Sequence, residues 1–264
     1  MNKRKEIISS FYDQIDEDGR LQRTRHGQLE YFTTMHYIHR YLGEGSKILE
    51  VGAGTGRYSI ALAKEGFDVT SVELVDHNLA ILRENSKGME NLHSFSGDAT
   101  DLSSFADNSF DVTLVLGPMY HLYEKDEVNR AIDEAIRVTK AEGVILFAFI
   151  SVFAIMYANY FYDNWAEGQE ENFTADYKVR HFKEQLFTGY ELKEFEDLFQ
   201  EKAVEWITTA GVDGLLEPLE KRPDFRFSDE DFEAFKQWYL HFAERRDLLG
   251  ITNHLLYICR KLGR

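Results

Sequence analysis

Cysteine is almost absent from this chain: Cys259 stands alone among 264 residues. One thiol cannot close an internal disulfide, and a free one suits a reducing cytoplasm. Proline is scarce as well, and Pro118, Pro218 and Pro223 do not gather into a linker. Positive charge is short: 30 Lys and Arg against 46 Asp and Glu leave a formal net charge of -16. Nucleic-acid binders carry a clustered basic footprint, and the only basic run here is Lys3-Arg4-Lys5, so no nucleic-acid partner is expected. The longest apolar run, Gly143 to Ala158, is too short and too aromatic for a membrane span. The first residues, MNKRKEIISSFYDQIDEDG, hold no apolar stretch resembling a secretory signal. Repeats and low-complexity segments are also missing. These absences lead us to expect a soluble cytoplasmic chain that engages no membrane.

What the chain does have is a hydrophobic fraction of 44%, enough for a proper core, and one stretch around which the rest is organised. Lys47 to Arg57 reads KILEVGAGTGR. Ile48, Leu49 and Val51 form an apolar run of strand length, Glu50 interrupts it, and Gly52, Gly54 and Gly56 follow at alternate positions. Glycine lets a backbone turn tightly and approach a ligand, because no Cβ intervenes. Tyr58, Ile60, Ala61, Leu62 and Ala63 then read as a helix. A strand, a glycine loop and a helix amino terminus together present free N–H groups to a polar or anionic ligand. The dinucleotide fingerprint G-x-G-x-x-G is not met, since Arg57 stands where its last glycine belongs.

Upstream, Ile7, Ile8, Phe11, Tyr12 and Ile15 recur at helical spacing, as do Leu29, Phe32, Met35, Ile38 and Leu42. Downstream, strands are predicted over 68–74, 91–97, 110–116 and 143–150, separated by helices over 77–87 and 124–139. This alternation predicts an α/β fold with a doubly wound, mostly parallel sheet. After Ser151 the rhythm changes, and aromatic-rich residues 153–187 read as a helical insertion or lid. A helix over 190–200, a strand over 203–208, a helical segment over 227–249 capped by Ser228, and a strand over 254–259 complete the chain. We expect one domain: a helical cap at 1–45, a cofactor-binding core at 46–150, a helical insertion at 151–200, and carboxyl-terminal strands with a further helical insertion at 201–264.

The pattern E-x-G-x-G-x-G in ILEVGAGTG resembles the first motif of class I S-adenosylmethionine-dependent methyltransferases. The resemblance runs in order from Leu49 to about Phe149, and the final two strands match in order. It implies a seven-stranded sheet with an antiparallel last strand, helices on both faces and a lid. It implies S-adenosyl-L-methionine as cofactor and S-adenosyl-L-homocysteine as product. On that likeness Glu50, Gly52, Ala53, Gly54 and Gly56 hold the methionine portion, and Glu73 with Leu74 the ribose. Asp98-Ala99 read the adenine through a carboxylate and a backbone N–H, and Leu116 closes the fourth strand beside the reacting methyl. The sequence departs from the pattern after Glu73, where Leu74-Val75-Asp76-His77 replaces the common Ser-Pro helix start.

Methyl transfer from a sulfonium asks for an acceptor atom in line at ~3–3.5 Å with water excluded. A general base is needed only where the acceptor must lose a proton. His121 and Tyr120, just past the fourth strand, are the candidate catalytic residues. His26, Tyr31 and Met119 are the candidate substrate-binding residues. His121 could equally be structural, and Tyr120 a pocket wall. His36 and His39 share a helix face without a matching Cys/His/Asp cluster, so no metal is expected. The long insertions and acidic charge favour a small-molecule acceptor and a monomer or homodimer. Gly117-Pro118-Met119-Tyr120 stands where Asn-Pro-Pro-Tyr would have signalled methylation of a base or amide nitrogen. The alternatives are a methyltransferase of protein or RNA, a non-catalytic adenosylmethionine-binding protein, and a nicotinamide-dependent oxidoreductase.

Overall fold

A computed structural model describes residues 3–161, 163–182 and 185–263. Among these residues eight strands form one sheet: β1 (Lys47–Val51), β2 (Asp68–Glu73), β3 (Leu92–Ser96), β4 (Phe110–Val115), β5 (Thr139–Ser151), β6 (Gly189–Tyr190), β7 (Val204–Gly211) and β8 (His254–Lys261). Their order is β3-β2-β1-β4-β5-β8-β7, with β6 paired to the end of β5 off this path. Strands β1 to β5 are mutually parallel, and β8 runs antiparallel between β5 and β7. The seven-strand path is the expected one; the two-residue β6 is an addition that its length hid from sequence patterning.

Among the described residues, twelve α-helices surround the sheet. Before β1 come α1 (Lys3–Tyr12), α2 (Arg20–Arg23) and α3 (Arg25–His39). Within the parallel half lie α4 (Arg57–Lys64), α5 (Asp76–Asn85) and α6 (Lys125–Val138). After β5 follow α7 (Val152–Ile155), α8 (Trp165–Asn172), α9 (Leu192–Asp197), α10 (Leu216–Glu220), α11 (Asp229–Phe242) and α12 (Arg246–Leu249). No helix among the described residues is long and apolar enough to cross a membrane.

The near-continuous apolar strands are explained by two cores, one on each face. Successive residues of a strand point to opposite sides. Thus Ile48, Leu114, Leu146 and Ile258 join one core, while Leu49, Val115, Phe147 and Cys259 join the other. Helix α6 seals the second core with Val128, Ala131, Ile132, Ala135 and Ile136, an i, i+3, i+4, i+7, i+8 stripe. Phe149 stacks on Phe195 of α9 at 4.0 Å between ring centroids. Helix α11 begins as expected, with Ser228 Oγ accepting from Asp231 N at 3.0 Å.

Two stretches differ from their sequence pattern. Strand β5 begins at Thr139, four residues before the apolar run, because Glu142 at φ 63° kinks the chain inside the strand. The segment expected to be a helical insertion is helical only in part. After α7 a π-helical turn spans Met156–Tyr160, then α8 ends at Asn172, and Phe173 bridges to Val179 before β6. Tyr162, Lys183 and Glu184 of this expectation lie outside the described residues.

Candidate functional site

The glycine loop leaves β1 by folding back on β2. Gly52 N and Ala53 N both donate to Val72 O, at 2.8 and 3.1 Å. Gly52 and Gly56 have φ of 75° and 88°. A Cβ on Gly52 would lie 2.6 Å from Pro118 Cδ, and one on Gly56 2.0 Å from Leu82 Cδ1. Both positions therefore need glycine for conformation and for packing. Gly54 differs: its φ is 57°, but the nearest atom to a Cβ there is Glu17 Cγ at 3.9 Å, so it borders open space.

Open space beside Gly54 is a cavity at the carboxyl ends of β1, β2, β3 and β4, where open α/β sheets bind ligands. Its lining includes Glu50, Gly52, Ala53, Gly54, Glu73, Leu74, Asp98, Ala99, Leu116, Tyr120 and His121. Gly56 is not in that lining; its role is the turn and the contact with Leu82. Glu73 links two loops, its oxygens accepting from Gly54 N and Val75 N at 2.7 Å each. Burial pushes its carboxyl upward against the pull of the neighbouring N–H groups. Glu50 accepts from Ser59 N at 2.9 Å and from Ser59 Oγ, and burial, only partly opposed by those bonds, pushes its carboxyl up to about 8. Asp98 Oδ1 accepts from Thr100 N, and Oδ2 from Arg4 Nη2 at 2.6 Å.

Helix α1 roofs this cavity. Arg4, Ile8 and Tyr12, one turn apart, line it together, which places one helix face over the glycine loop. Tyr12 Oη lies 3.1 Å from His121 Nε2, and His121 Nδ1 lies 2.7 Å from Leu186 O. A carbonyl only accepts, so Nδ1 carries the proton and Nε2 accepts from the Tyr12 hydroxyl. Burial, reinforced by Arg4, lowers the His121 imidazole to about 4 against the pull of the Leu186 carbonyl. The ring is a fixed neutral acceptor.

A second cavity, of about 580 Å³, shares Tyr12, Glu17, Arg20 and Tyr120 with the first. Its wall carries a buried chain of alternating charge. Arg20 donates to Glu17 at 2.9 Å and to both oxygens of Glu30 at 2.7 and 3.1 Å. His254 Nδ1 lies 3.8 Å from Glu30 Oε2 and donates to Asp213 Oδ2 at 2.7 Å. Burial alone would raise Glu30 and lower His254. The opposite charges prevail, taking Glu30 down to about 2 and His254 up to about 9. Glu30, Asp213 and His254 lie close enough to suggest a metal cradle. Arg20 occupies both Glu30 oxygens, and Asp213 Oδ1 already accepts from Asn253 N and Thr252 Oγ1, so the cluster is an ion-pair chain.

His26 lines this second cavity, its Nδ1 2.7 Å from Glu220 Oε2. The structure puts the other two expected substrate residues elsewhere. Met119 is fully buried: the turn Pro118–His121 sends it into the core while Tyr120 and His121 face the cavities. Tyr31 stacks on Tyr58 at 5.3 Å with Arg57 over its outer face. His39 bonds Glu65 at 2.6 Å, and His36 stands edge-on to Tyr37. Arg4, Tyr12, Arg20, Glu30 and His254 escaped sequence reasoning. The four-residue spacing of Arg4, Ile8 and Tyr12 was a usable signal; nothing local marks Glu30 or His254.

Whether the cavity suits the implied cofactor is testable on its own atoms. Asn78 Oδ1 is buried in the lining with no hydrogen-bond partner among the described residues, close in sequence to Glu73. With Glu73 and Asp98 it gives three side chains that accept hydrogen bonds, suited to hydroxyl and amine donors. The residues fit an adenosyl ligand.

Residues 49–147 match the family described as a methyltransferase domain. A chain from Geobacillus sp. (strain WCH70) carrying a provisional methyltransferase name is 35% identical over 113 residues, 42% of this chain and 45% of that one. Demethylmenaquinone methyltransferase of Paenarthrobacter aurescens (strain TC1) is 36% identical over 104 residues, 39% of this chain and 38% of its own length. The chain thus spans about half or less of the length of these relatives. A solved structure of a SAM-dependent methyltransferase from Methanosarcina mazei superposes with a TM-score of 0.57 at 17% identity, covering 86% of this chain and 98% of that one. The core, from β1 to β5, has the Rossmann-like architecture of class I S-adenosylmethionine-dependent methyltransferases.

Proposed function

We propose that this chain is an S-adenosylmethionine-dependent methyltransferase acting on a small molecule. The observation that carries this reading is the meeting of two cavities at Tyr12 and Tyr120, one of them bordered by the glycine loop. Relatives named as demethylmenaquinone methyltransferases, named for a small acceptor, support it.

Glu73 and Asn78 would hold the ribose hydroxyls, Asp98 and Ala99 N–H the adenine, and the loop from Gly52 to Gly54 the methionine portion. Bound there, the sulfonium supplies an electrophilic methyl group. The chain's own contribution is position and exclusion of water. His121 Nε2 takes the Tyr12 proton as a hydrogen bond, which leaves the Tyr12 oxygen lone pairs to receive an N–H or O–H of the acceptor. An acceptor held this way presents its own lone pair towards the cofactor cavity. His121, with its lowered basicity, therefore acts through Tyr12 as a positioning residue rather than storing the proton.

Calorimetry with S-adenosylmethionine, S-adenosylhomocysteine, NAD and NADP tests the cofactor. Micromolar binding of the adenosyl ligands alone, ~8 kcal/mol, is expected. Binding of NAD or NADP alone, or of none of the four, overturns the reading. Labelled methyl incorporation into a nuclease- and protease-treated small-molecule extract tests the acceptor. Label found only in protein or RNA moves the activity to a macromolecular substrate, and cofactor binding without any transfer makes the chain a binding protein.

A further inference from the structure

Resting on that reading, the second cavity carries information about what the acceptor looks like. His254 opens β8 with its imidazole in the cavity wall, edge-on to Tyr120 at 6.1 Å. One side of the ring is committed: Nδ1 is on Asp213 and near Glu30, whose other partner is Arg20. Nε2 has no hydrogen-bond partner among the described residues. Of the charged side chains lining this cavity, Glu17 accepts from Arg20 and Glu171 from Tyr160. Glu30 and Arg20 come from α3 and α2, and Asp213 from the turn after β7. Glu217 on α10 is held by Lys221 and Asn253. Tyr120 gives its hydroxyl proton to Leu116 O, and His26 is on Glu220.

The two carboxylates keep the imidazole protonated, its basicity raised to about 9. Its Nε2–H is then a charge-assisted donor at the cavity surface, about twice as strong as a neutral one. Phe11, Phe187 and Ile155 line the same cavity, as does Ile150, the cross-strand neighbour of His254. A charged donor beside aromatic and aliphatic groups, in a wall that also carries Arg20, Asn159, Tyr160 and Gln185, suits a largely apolar body with one well-placed oxygen.

We infer that His254 anchors the acceptor, and that the acceptor is a ring-sized apolar molecule whose carbonyl-type oxygen, ketone or carboxylate, takes a hydrogen bond from His254 Nε2. The methylated atom lies at Tyr12, on the other side of Tyr120. The oxygen on His254 fixes orientation and is not the atom that reacts.

The test uses the full chain saturated with S-adenosylhomocysteine, whose binding is checked first by calorimetry. Failure of that step refutes the cofactor reading and, with it, this one. Acetophenone, benzoate and toluene then serve as probes in histidine-labelled protein followed by nuclear magnetic resonance. Acetophenone or benzoate is expected to bind at least about tenfold more tightly than toluene, and to shift the His254 ring resonances. Preference for acetophenone identifies a ketone-type oxygen, and preference for benzoate a carboxylate. In His254→Leu the preference should fall within about threefold of unity, with S-adenosylhomocysteine affinity unchanged; His254→Gln, which keeps an amide donor, should retain part of it. Should the leucine variant fail to fold, the wild-type resonances and the glutamine variant decide. No shift at His254 with cofactor bound, or a preference that survives His254→Leu, overturns the proposal.

Discussion

The two cavities that meet at Tyr12 are made in opposite ways. The cavity beside the glycine loop is built largely from residues 50–121, one loop after each of four adjacent strands. The second cavity is assembled from residues 11–26, 150–187 and 217–254, joined by side-chain pairs such as His26 with Glu220, 194 positions apart. A wall of loops at strand ends follows from the sheet itself, so any sequence that forms the sheet nearly forms the wall. A wall of buried ion pairs is specified residue by residue, and losing one partner strands the other in low dielectric. On the proposed function, the first cavity would bind a common ligand and the second would select a particular one.

The sharpest way to break that contrast is to cut the charge chain. Glu30→Leu leaves Arg20 and His254 without their shared carboxylate, and should destabilise the fold by about 3–5 kcal/mol in urea denaturation. A cost below about 1 kcal/mol would mean the chain is solvated and the contrast false.

The dependence on pH comes next in size. His254 has its folded pKa raised, so its stabilisation is complete below the unfolded value of about 6.5. It is lost as pH rises through about 9. His121 is lowered to about 4, so its contribution is present above about 6.5 and lost as pH falls towards 4. The two histidines alone favour a pH near 6.5, but Glu50, raised to about 8, loses stabilisation as pH rises from about 4.5, so the maximum lies below pH 6.5. Thermal denaturation from pH 4 to 10 should show this, and His254→Gln should remove only the part of the alkaline loss that falls between about pH 6.5 and 9.

At the junction, Tyr12→Phe should lower turnover on the small-molecule extract by about ten- to a hundredfold. Affinity for S-adenosylhomocysteine, measured by calorimetry, should stay within about threefold. Equal losses in both would assign Tyr12 to the cofactor wall. Within the glycine loop the effects are graded by space. Gly54→Ala meets open room and costs only the left-handed backbone, about 1–2 kcal/mol in denaturation. Gly52→Ala, which also meets Pro118, should cost more. The smallest change is expected from Tyr31→Phe, outside both cavities. Its S-adenosylhomocysteine affinity and turnover should equal those of the parent.

This ordering follows what was legible in the amino-acid sequence. The strands, the glycine loop, Glu73 and Asp98 could be read because each sits at a strand end, where local backbone geometry fixes its place. Tyr12 was readable only as part of an amphipathic face; that this face covers the cavity depends on how α1 packs. Glu30 and His254 could not be found, because ion pairing between residues so far apart leaves no periodicity. Met119, expected to touch substrate, and Tyr120, expected in catalysis, are adjacent in sequence, but the tight turn at Pro118 sends their side chains to opposite sides. Strand β6 was missed for want of length.

Cys259 has a practical consequence. It lies on β8 between β5 and β7, its side chain is fully buried in the second core, and burial lifts its thiol well above the ordinary range. Thiolate is the species that reacts with maleimides and nitroxide reagents. The natural chain thus behaves towards such labels as though it contained no cysteine. Probes placed at an exposed position of α1 and on α11 would report, without further mutation, how far the roof over Gly54 moves when an adenosyl ligand enters.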